Sequence, residues 1–176
     1  VGNPTLSSEN AYQIESGIKY LSNRVIAQVG YFHRRINDFI DWQKEDATTG
    51  SGTVIPWKPI NIGKNKIDGF NASFRYNIND PSATTRYFTT LSYNYLNPSI
   101  TLADGILSKY AIESLRHQVI ANFTINHKNW MFTSANRFNE RISYKSYFIA
   151  DVRGSYQLQD LNIFVDVQNI FDKSYI

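Results

Sequence analysis

Hydrophobic positions along this chain recur every second residue. From Tyr12 to Tyr20 the even positions read Tyr12, Ile14, Ser16, Ile18, Tyr20, and the odd ones Gln13, Glu15, Gly17, Lys19. Tyr87, Thr89, Leu91, Tyr93 and Tyr95 alternate with Phe88, Thr90, Ser92 and Asn94. Phe148, Ala150, Val152, Gly154, Tyr156 and Leu158 alternate with Ile149, Asp151, Arg153, Ser155 and Gln157. A period of two belongs to a β-strand with one apolar and one polar face. Val25, Ala27, Val29 and Tyr31 share a face in the same way, as do Phe70, Ala72, Phe74 and Tyr76. The pattern predicts eight strands, over residues 11–20, 25–36, 62–77, 86–96, 116–125, 130–138, 147–158 and 161–170. Alternation is weakest at 130–138, where Met131 and Ala135 fall on the polar side.

The predicted connections alternate in length. Those at 21–24, 78–85, 126–129 and 159–160 are short, whereas 37–61 and 97–115 are long and 139–146 is intermediate. Short connections at one end and long ones at the other are the pattern of an antiparallel up-and-down transmembrane β-barrel. A sandwich with Greek-key crossovers has no reason to alternate so regularly. Tyr12/Tyr20, Tyr87/Tyr95 and Phe148/Tyr156 are each eight residues apart on the apolar face. Eight residues span roughly 26 Å of strand. A tilt of about 40° reduces this to roughly 20 Å, close to the apolar band that aromatic girdles flank in such barrels.

Composition narrows the classes. The 176 residues include 12 Tyr, 11 Phe and 3 Trp, or 15% aromatic. There is no Cys, which excludes disulfide frameworks, zinc–thiolate sites and thiol catalysis. A net charge of +3 with no concentrated basic patch gives no reason to expect a nucleic-acid partner. The mean hydropathy of −0.38 does not argue against a membrane barrel, because alternation hides the apolar face in the average. No apolar run approaches the ~18 residues of a spanning helix. No charged-then-apolar signal segment opens the chain, which starts Val1-Gly2-Asn3-Pro4.

The segments Asn3–Tyr20, Tyr31–Ile40, Asn61–Phe70 and Val167–Tyr175, taken in that order, resemble segments of the TonB-dependent outer-membrane receptors, in the order they take in that family. Asn3-Pro4-Thr5-Leu6-Ser7-Ser8-Glu9 followed by Tyr12-Gln13-Ile14-Glu15-Ser16-Gly17-Ile18-Lys19-Tyr20 is similar to the family's "NP-L-pE … yElGlky" stretch. Tyr31-Phe32-His33-Arg34-Arg35-Ile36-Asn37-Asp38-Phe39-Ile40 looks like the family's following strand, where a "yF" pair precedes a loop, and Asn61-Ile62-Gly63 with Ile67-Asp68-Gly69-Phe70 resembles its "N-g … i-G-e" strand. Val167-Gln168-Asn169-Ile170-Phe171-Asp172-Lys173-Ser174-Tyr175 is similar to the "v-N-FdkkY" near its C-terminus, the most specific of these motifs. The resemblance implies a fragment of about eight strands from the C-terminal part of a larger barrel. The plug domain, the TonB box and the final strand are expected to lie outside residues 1–176. It implies a receptor in the cell outer membrane, not an enzyme, that imports a bulky, scarce nutrient. Expected partners are outer-membrane lipid, a small nutrient ligand, and the TonB complex through the missing N-terminal part. Trp57-Lys58-Pro59-Ile60-Asn61-Ile62 and 108–117 resemble the vitamin B12 receptors within the family, which implies a corrinoid ligand; a siderophore is the alternative.

No cofactor is expected. His33, His117 and His127 stand on separate segments without a second ligand at metal spacing, so no metal site is expected. Asp38 and Asp41 read as a solvated acidic loop, since calcium needs six or more oxygens. Trp42, Trp57 and Tyr110, in the long connections, are the ligand-binding candidates, because rigid rings give contact area with few rotamers to freeze. In a soluble β-sandwich, the rival fold, Trp42 and Trp57 would serve as carbohydrate-stacking platforms, and the aromatic face would close into a core. Finally, a two-residue turn at Gln159-Asp160 places Leu158 opposite Leu161, and then Arg153 opposite Asp166, as an ion pair on the lumen face.

Overall fold

A computed structural model of the chain describes residues 3–45, 56–80, 82–100, 106–108, 115–142 and 145–174. Among the described residues there is no helix, and the strands are β1 (Asn10–Leu21), β2 (Val25–Asn37), β3 (Ile40–Glu45), β4 (Lys58–Asn61), β5 (Lys64–Asn77), β6 (Thr85–Ile100), β7 (Ile106–Ser108), β8 (Leu115–His127), β9 (Trp130–Arg141), β10 (Tyr147–Leu158) and β11 (Leu161–Val167). Eight of them form one antiparallel sheet in the order β1-β2-β5-β6-β8-β9-β10-β11, with β1 and β11 at its open edges. These are the eight strands that the alternation predicts, joined as a meander. The long connections differ from expectation. Instead of plain loops they carry β3, β4 and β7, which form a second sheet in the order β4-β3-β7.

Strand ends also differ, most of all at β6, β9 and β11, and β9 runs on to Arg141 rather than 138. β6 runs on to Ile100, through Pro98, because past Tyr95 it pairs with β5 and no longer with β8, so one side needs no proline N–H. β11 stops at Val167, not 170. Asn169 takes a positive φ of 50°, and its N–H donates to Asp151 Oδ1 at 2.7 Å, which turns the chain out of the ladder. Asn169 then closes a turn, accepting from Lys173 N–H at 3.0 Å and donating to Lys173 O at 3.2 Å. The same Asp151 takes Arg137 Nη2 at 2.6 Å, so one carboxylate ties β9, β10 and the closing turn together.

The register puts every apolar set on one face. Ile18 lies opposite Val29, Val29 opposite Ala72, and Ala72 opposite Tyr93. Tyr93 lies opposite Val119, Val119 opposite Phe138, and Phe138 opposite Phe148. Nothing described covers this face. Ile14, Ile18 and Val165 are 68%, 75% and 67% exposed, and Leu91, on an interior strand, is 47% exposed. The buried side chains of the large sheet include the polar Asn65, Thr124, Asn139 and Ser155 beside only Ile36, Ile149 and Ala150 among apolar ones. A soluble sandwich would have the reverse arrangement, so that rival is excluded. On the polar face a row of amides crosses the strands, with Asn94 Nδ2 donating to Gln118 Oε1 at 3.2 Å and Gln118 Nε2 to Asn139 Oδ1 at 3.0 Å. Earlier in the same row Gly17 faces Gly30; a Cβ on Gly17 would stand 2.8 Å from the Val29 carbonyl oxygen, so the close approach of β1 and β2 requires glycine there.

The short turns lie at one end. Lys128 and Gln159 take φ of 50° at the first position of two-residue loops, which both hairpin turn types of that length require. In the 78–84 turn, the Ser82 hydroxyl and backbone N–H both donate to Asp80, holding its carboxyl below the usual carboxylate range. Tyr20, Tyr87, Trp130 and Tyr156 stand near these turns on the apolar face, Trp130 and Tyr156 with ring centroids 4.7 Å apart. The strands are staggered. Followed across the sheet, Leu21 leads through Ile26, Arg75, Thr90, Asn122 and Ala135 to Asp151, well short of the turn after Leu158. Such a stagger is what tilted barrel strands require.

Spin labels test the face assignment. In the full-length protein in a bilayer, labels at 14 and 18 are expected to be accessible to oxygen and those at 15 and 19 to a water-soluble quencher; the opposite pattern would invert the faces.

Candidate functional site

The long connections converge on the small sheet. β3 is its centre: Trp42 lies opposite Pro59 of β4, and Gln43 opposite both Lys58 of β4 and Ser108 of β7. β4 belongs to the same connection as β3, but β7 comes from the next one, so two connections form one unit. Asp41 welds them. It is only 1% exposed; its Oδ1 accepts the Trp42 N–H at 2.7 Å and its Oδ2 accepts from the Ser108 hydroxyl. This corrects the expectation of a solvated acidic loop at Asp41; Asp38 is exposed as expected and takes a positive φ of 53°. A buried carboxylate is tolerable only when its oxygens are paired in this way.

Alternation along β3 places Trp42 and Lys44 on the face opposite Asp41 and Gln43. Trp57 precedes β4 on the same side as Pro59, and Lys44 Nζ stands 4.9 Å from the centre of its ring. Trp42 and Trp57, far apart in sequence, thus belong to one surface of tryptophan, proline and a cation. Lys44 is the member that sequence reading missed; it pairs with Leu107 of β7, and its ammonium meets Trp57 only in the assembled sheet. Tyr110 lies outside the described residues.

The unit is clipped to the large sheet by the opening segment. Asn61 accepts the Ser7 N–H at 2.9 Å and donates to Ser7 O at 3.0 Å and Asp38 O at 2.6 Å. Asn3 Nδ2 donates to Pro59 O at 2.9 Å, and Glu9 accepts the Ile40 N–H. Residues that looked like sequence motifs only, Asn3, Glu9 and Asn61, are therefore the fasteners of the platform.

Arg153 and Asp166 sit elsewhere, on β10 and β11. They are directly opposite in the register, with Arg153 Nε 3.7 Å from Asp166 Oδ1 and the guanidinium 4.0 Å above the Phe164 ring. That separation is an ion pair without a hydrogen bond, and both side chains are partly exposed, so it contributes at most about 1 kcal/mol. The histidines are less isolated than spacing suggested: His33 Nδ1 is 2.9 Å from Asp68 Oδ1, and His117 Nδ1 is 2.7 Å from the Tyr93 hydroxyl. Among the described residues no three His, Asp or Glu side chains gather as a metal site would need.

Residues 1–170 match the family described as "TonB dependent receptor-like, beta-barrel". The vitamin B12 transporter BtuB of Photobacterium profundum is 23% identical over 184 aligned positions, covering 99% of this chain and 28% of that protein. Among solved structures, the copper transporter OprC superposes with a TM-score of 0.74 at 17% identity, over 96% of this chain and 26% of its own. The FrpB iron transporter from Neisseria meningitidis superposes with a TM-score of 0.66 at 16% identity, over 98% of this chain and 28% of its own. The chain thus spans under a third of the length of these relatives.

Two tests follow from this geometry. Asp41→Ala leaves the Trp42 N–H and the Ser108 hydroxyl without their acceptor, a loss of about 1–3 kcal/mol confined to the platform; limited proteolysis of the full-length protein is expected to cut at 38–61 and 101–114 faster while the barrel stays resistant. Cysteines at 153 and 166 are expected to crosslink and cysteines at 153 and 165 not to, since Val165 points to the other face; crosslinking of the second pair would break the register described.

Proposed function

The chain belongs to the TonB-dependent receptor-like β-barrel family, and we propose that it forms part of the wall of an outer-membrane barrel that imports a bulky nutrient. In this reading the apolar face of the large sheet meets lipid and the polar face, with its amide row and the Arg153–Asp166 pair, lines the lumen. The observation that carries it is the inversion of burial, with large apolar side chains exposed on one continuous face and polar ones buried. In hydrocarbon that face is solvated, and the backbone groups behind it are paired strand to strand, as a bilayer demands. The protein is a receptor and transporter rather than an enzyme. Energy coupling through the TonB complex is assigned to the rest of the receptor.

The platform of Trp42, Trp57 and Lys44 is the ligand-binding surface, with Tyr110 as a further candidate from the same connections. A corrinoid is the ligand that fits best: flat aromatic rings and a cation suit a large planar ring system with amide edges. The resemblance of 57–62 to vitamin B12 receptors and the B12 transporter relative support that choice. Tryptophan anchors of this kind are each worth on the order of 2 kcal/mol. Trp42→Ala and Trp57→Ala in the full-length receptor are therefore expected to weaken cyanocobalamin binding about tenfold or more each, measured by equilibrium binding, with the barrel still heat-resistant. Binding of a ferric siderophore in place of cyanocobalamin would overturn the ligand; unchanged affinity in both variants would overturn the platform.

A further inference from the structure

Arg35 of β2 and Lys66 of β5 stand directly opposite each other, on the apolar face, near its long-connection end. Tyr12 of β1 continues the row, and its hydroxyl accepts from Arg35 Nη1 at 3.3 Å. Like charges in register across an antiparallel pair repel, so the arrangement destabilises the sheet unless an anion lies between them. Asp68 feels the Lys66 charge, but among the described residues no carboxylate lies within 4.0 Å of either cation. Neither Arg35 nor Lys66 forms a salt bridge there, and Arg35 Nε is buried without a partner. Asp68, the carboxylate next along this face of β5, already receives the Tyr31 hydroxyl at 2.6 Å and His33 at 2.9 Å on its Oδ1.

The row also has a fixed place relative to the apolar band. Toward the short turns the same strands present Ile14, Ile18, Val29, Phe70 and Phe74, all exposed. We propose that Tyr12, Arg35 and Lys66 form a binding site for the anionic phosphate of a lipid headgroup, with the acyl chains lying along that band. The guanidinium and the ammonium each donate to a phosphate oxygen, and the Tyr12 hydroxyl, accepting from Arg35, still has its own proton to donate. A free anion would satisfy the charges, but the lipid alone also covers the apolar side chains beneath them. The proposal rests on the reading of this face as the membrane face.

The test uses the full-length receptor in nanodiscs of phosphatidylcholine, with and without phosphatidylglycerol. Phosphatidylglycerol is expected to raise the melting temperature of the parent by several degrees. In the Arg35→Gln/Lys66→Gln double variant that gain is expected to fall by more than half, while in phosphatidylcholine alone the variant melts no lower than the parent, because the repulsion is gone. Lys19→Gln, on the polar face, is expected to keep the full gain. An equal gain in parent and double variant overturns the site, and an equal gain from free inorganic phosphate in phosphatidylcholine discs overturns the lipid. If the double variant does not assemble, Lys66→Gln alone is expected to lose part of the gain, and an undiminished gain again overturns the site. Failure of the parent to enter discs at all overturns the membrane-face reading itself, which separates the two failures.

Discussion

The inter-strand hydrogen-bond ladder is the constraint on which this structure depends. A sheet that exposes Ile18, Leu91 and Val165 on one face is unstable in water and stable in hydrocarbon only if its backbone polar groups are already paired. The eight long strands meet that demand with one antiparallel register, broken by a single irregularity between Leu115 and His117. The side-chain period is two, so a shift of one residue in any pair would turn Arg153, Arg137 or Lys19 to the apolar face and Leu158 or Ile18 to the polar one. An arginine moved to the midplane costs about 2–4 kcal/mol, more than any cross-strand pair contributes. Register is therefore held by the two solvents on either side of the sheet, and pairs such as Arg153–Asp166 or the Asn94–Gln118–Asn139 row refine a choice already made.

The same ladder explains why the candidate binding surface is a sheet and not a pair of loops. A long connection ordered only by its own contacts carries a large entropy cost. Here the cost is spread over β3, β4 and β7, tied by Asp41 to Ser108 and by Asn61 to the opening segment. Trp42 thus stands on a strand with defined partners and Trp57 immediately before one, and rigid support of this kind lets an aromatic surface discriminate among ligands.

The family-like motifs acquire physical meaning in the same way. Asn169 turns the chain after β11 by adopting a positive φ and closing on Lys173, and Asp151 receives both its N–H and the Arg137 guanidinium. Asn3 and Asn61 use both ends of their amides, as no aliphatic residue could. These are short polar residues placed where the backbone leaves the ladder and its N–H or C=O groups need a substitute partner.

What the sequence determined by itself was everything carried by the local period: eight long strands, which side of each is apolar, the two-residue turn at 159–160, and from that turn the facing of Arg153 and Asp166. Each follows from neighbours a few residues apart, and the alternation was strong because each face meets a different solvent. What only the tertiary structure decided were meetings across long stretches of chain: Lys44 under Trp57, Asp41 with Ser108, His33 with Asp68, Asn61 with Ser7, Arg35 against Lys66. Strands as short as Ile106–Ser108 hold too few residues to show a period, and their partners are chosen by where the long strands bring the ends of their connections. A side chain's partner across a sheet depends on register, and register is a property of the assembled sheet between two solvents, which no single segment contains.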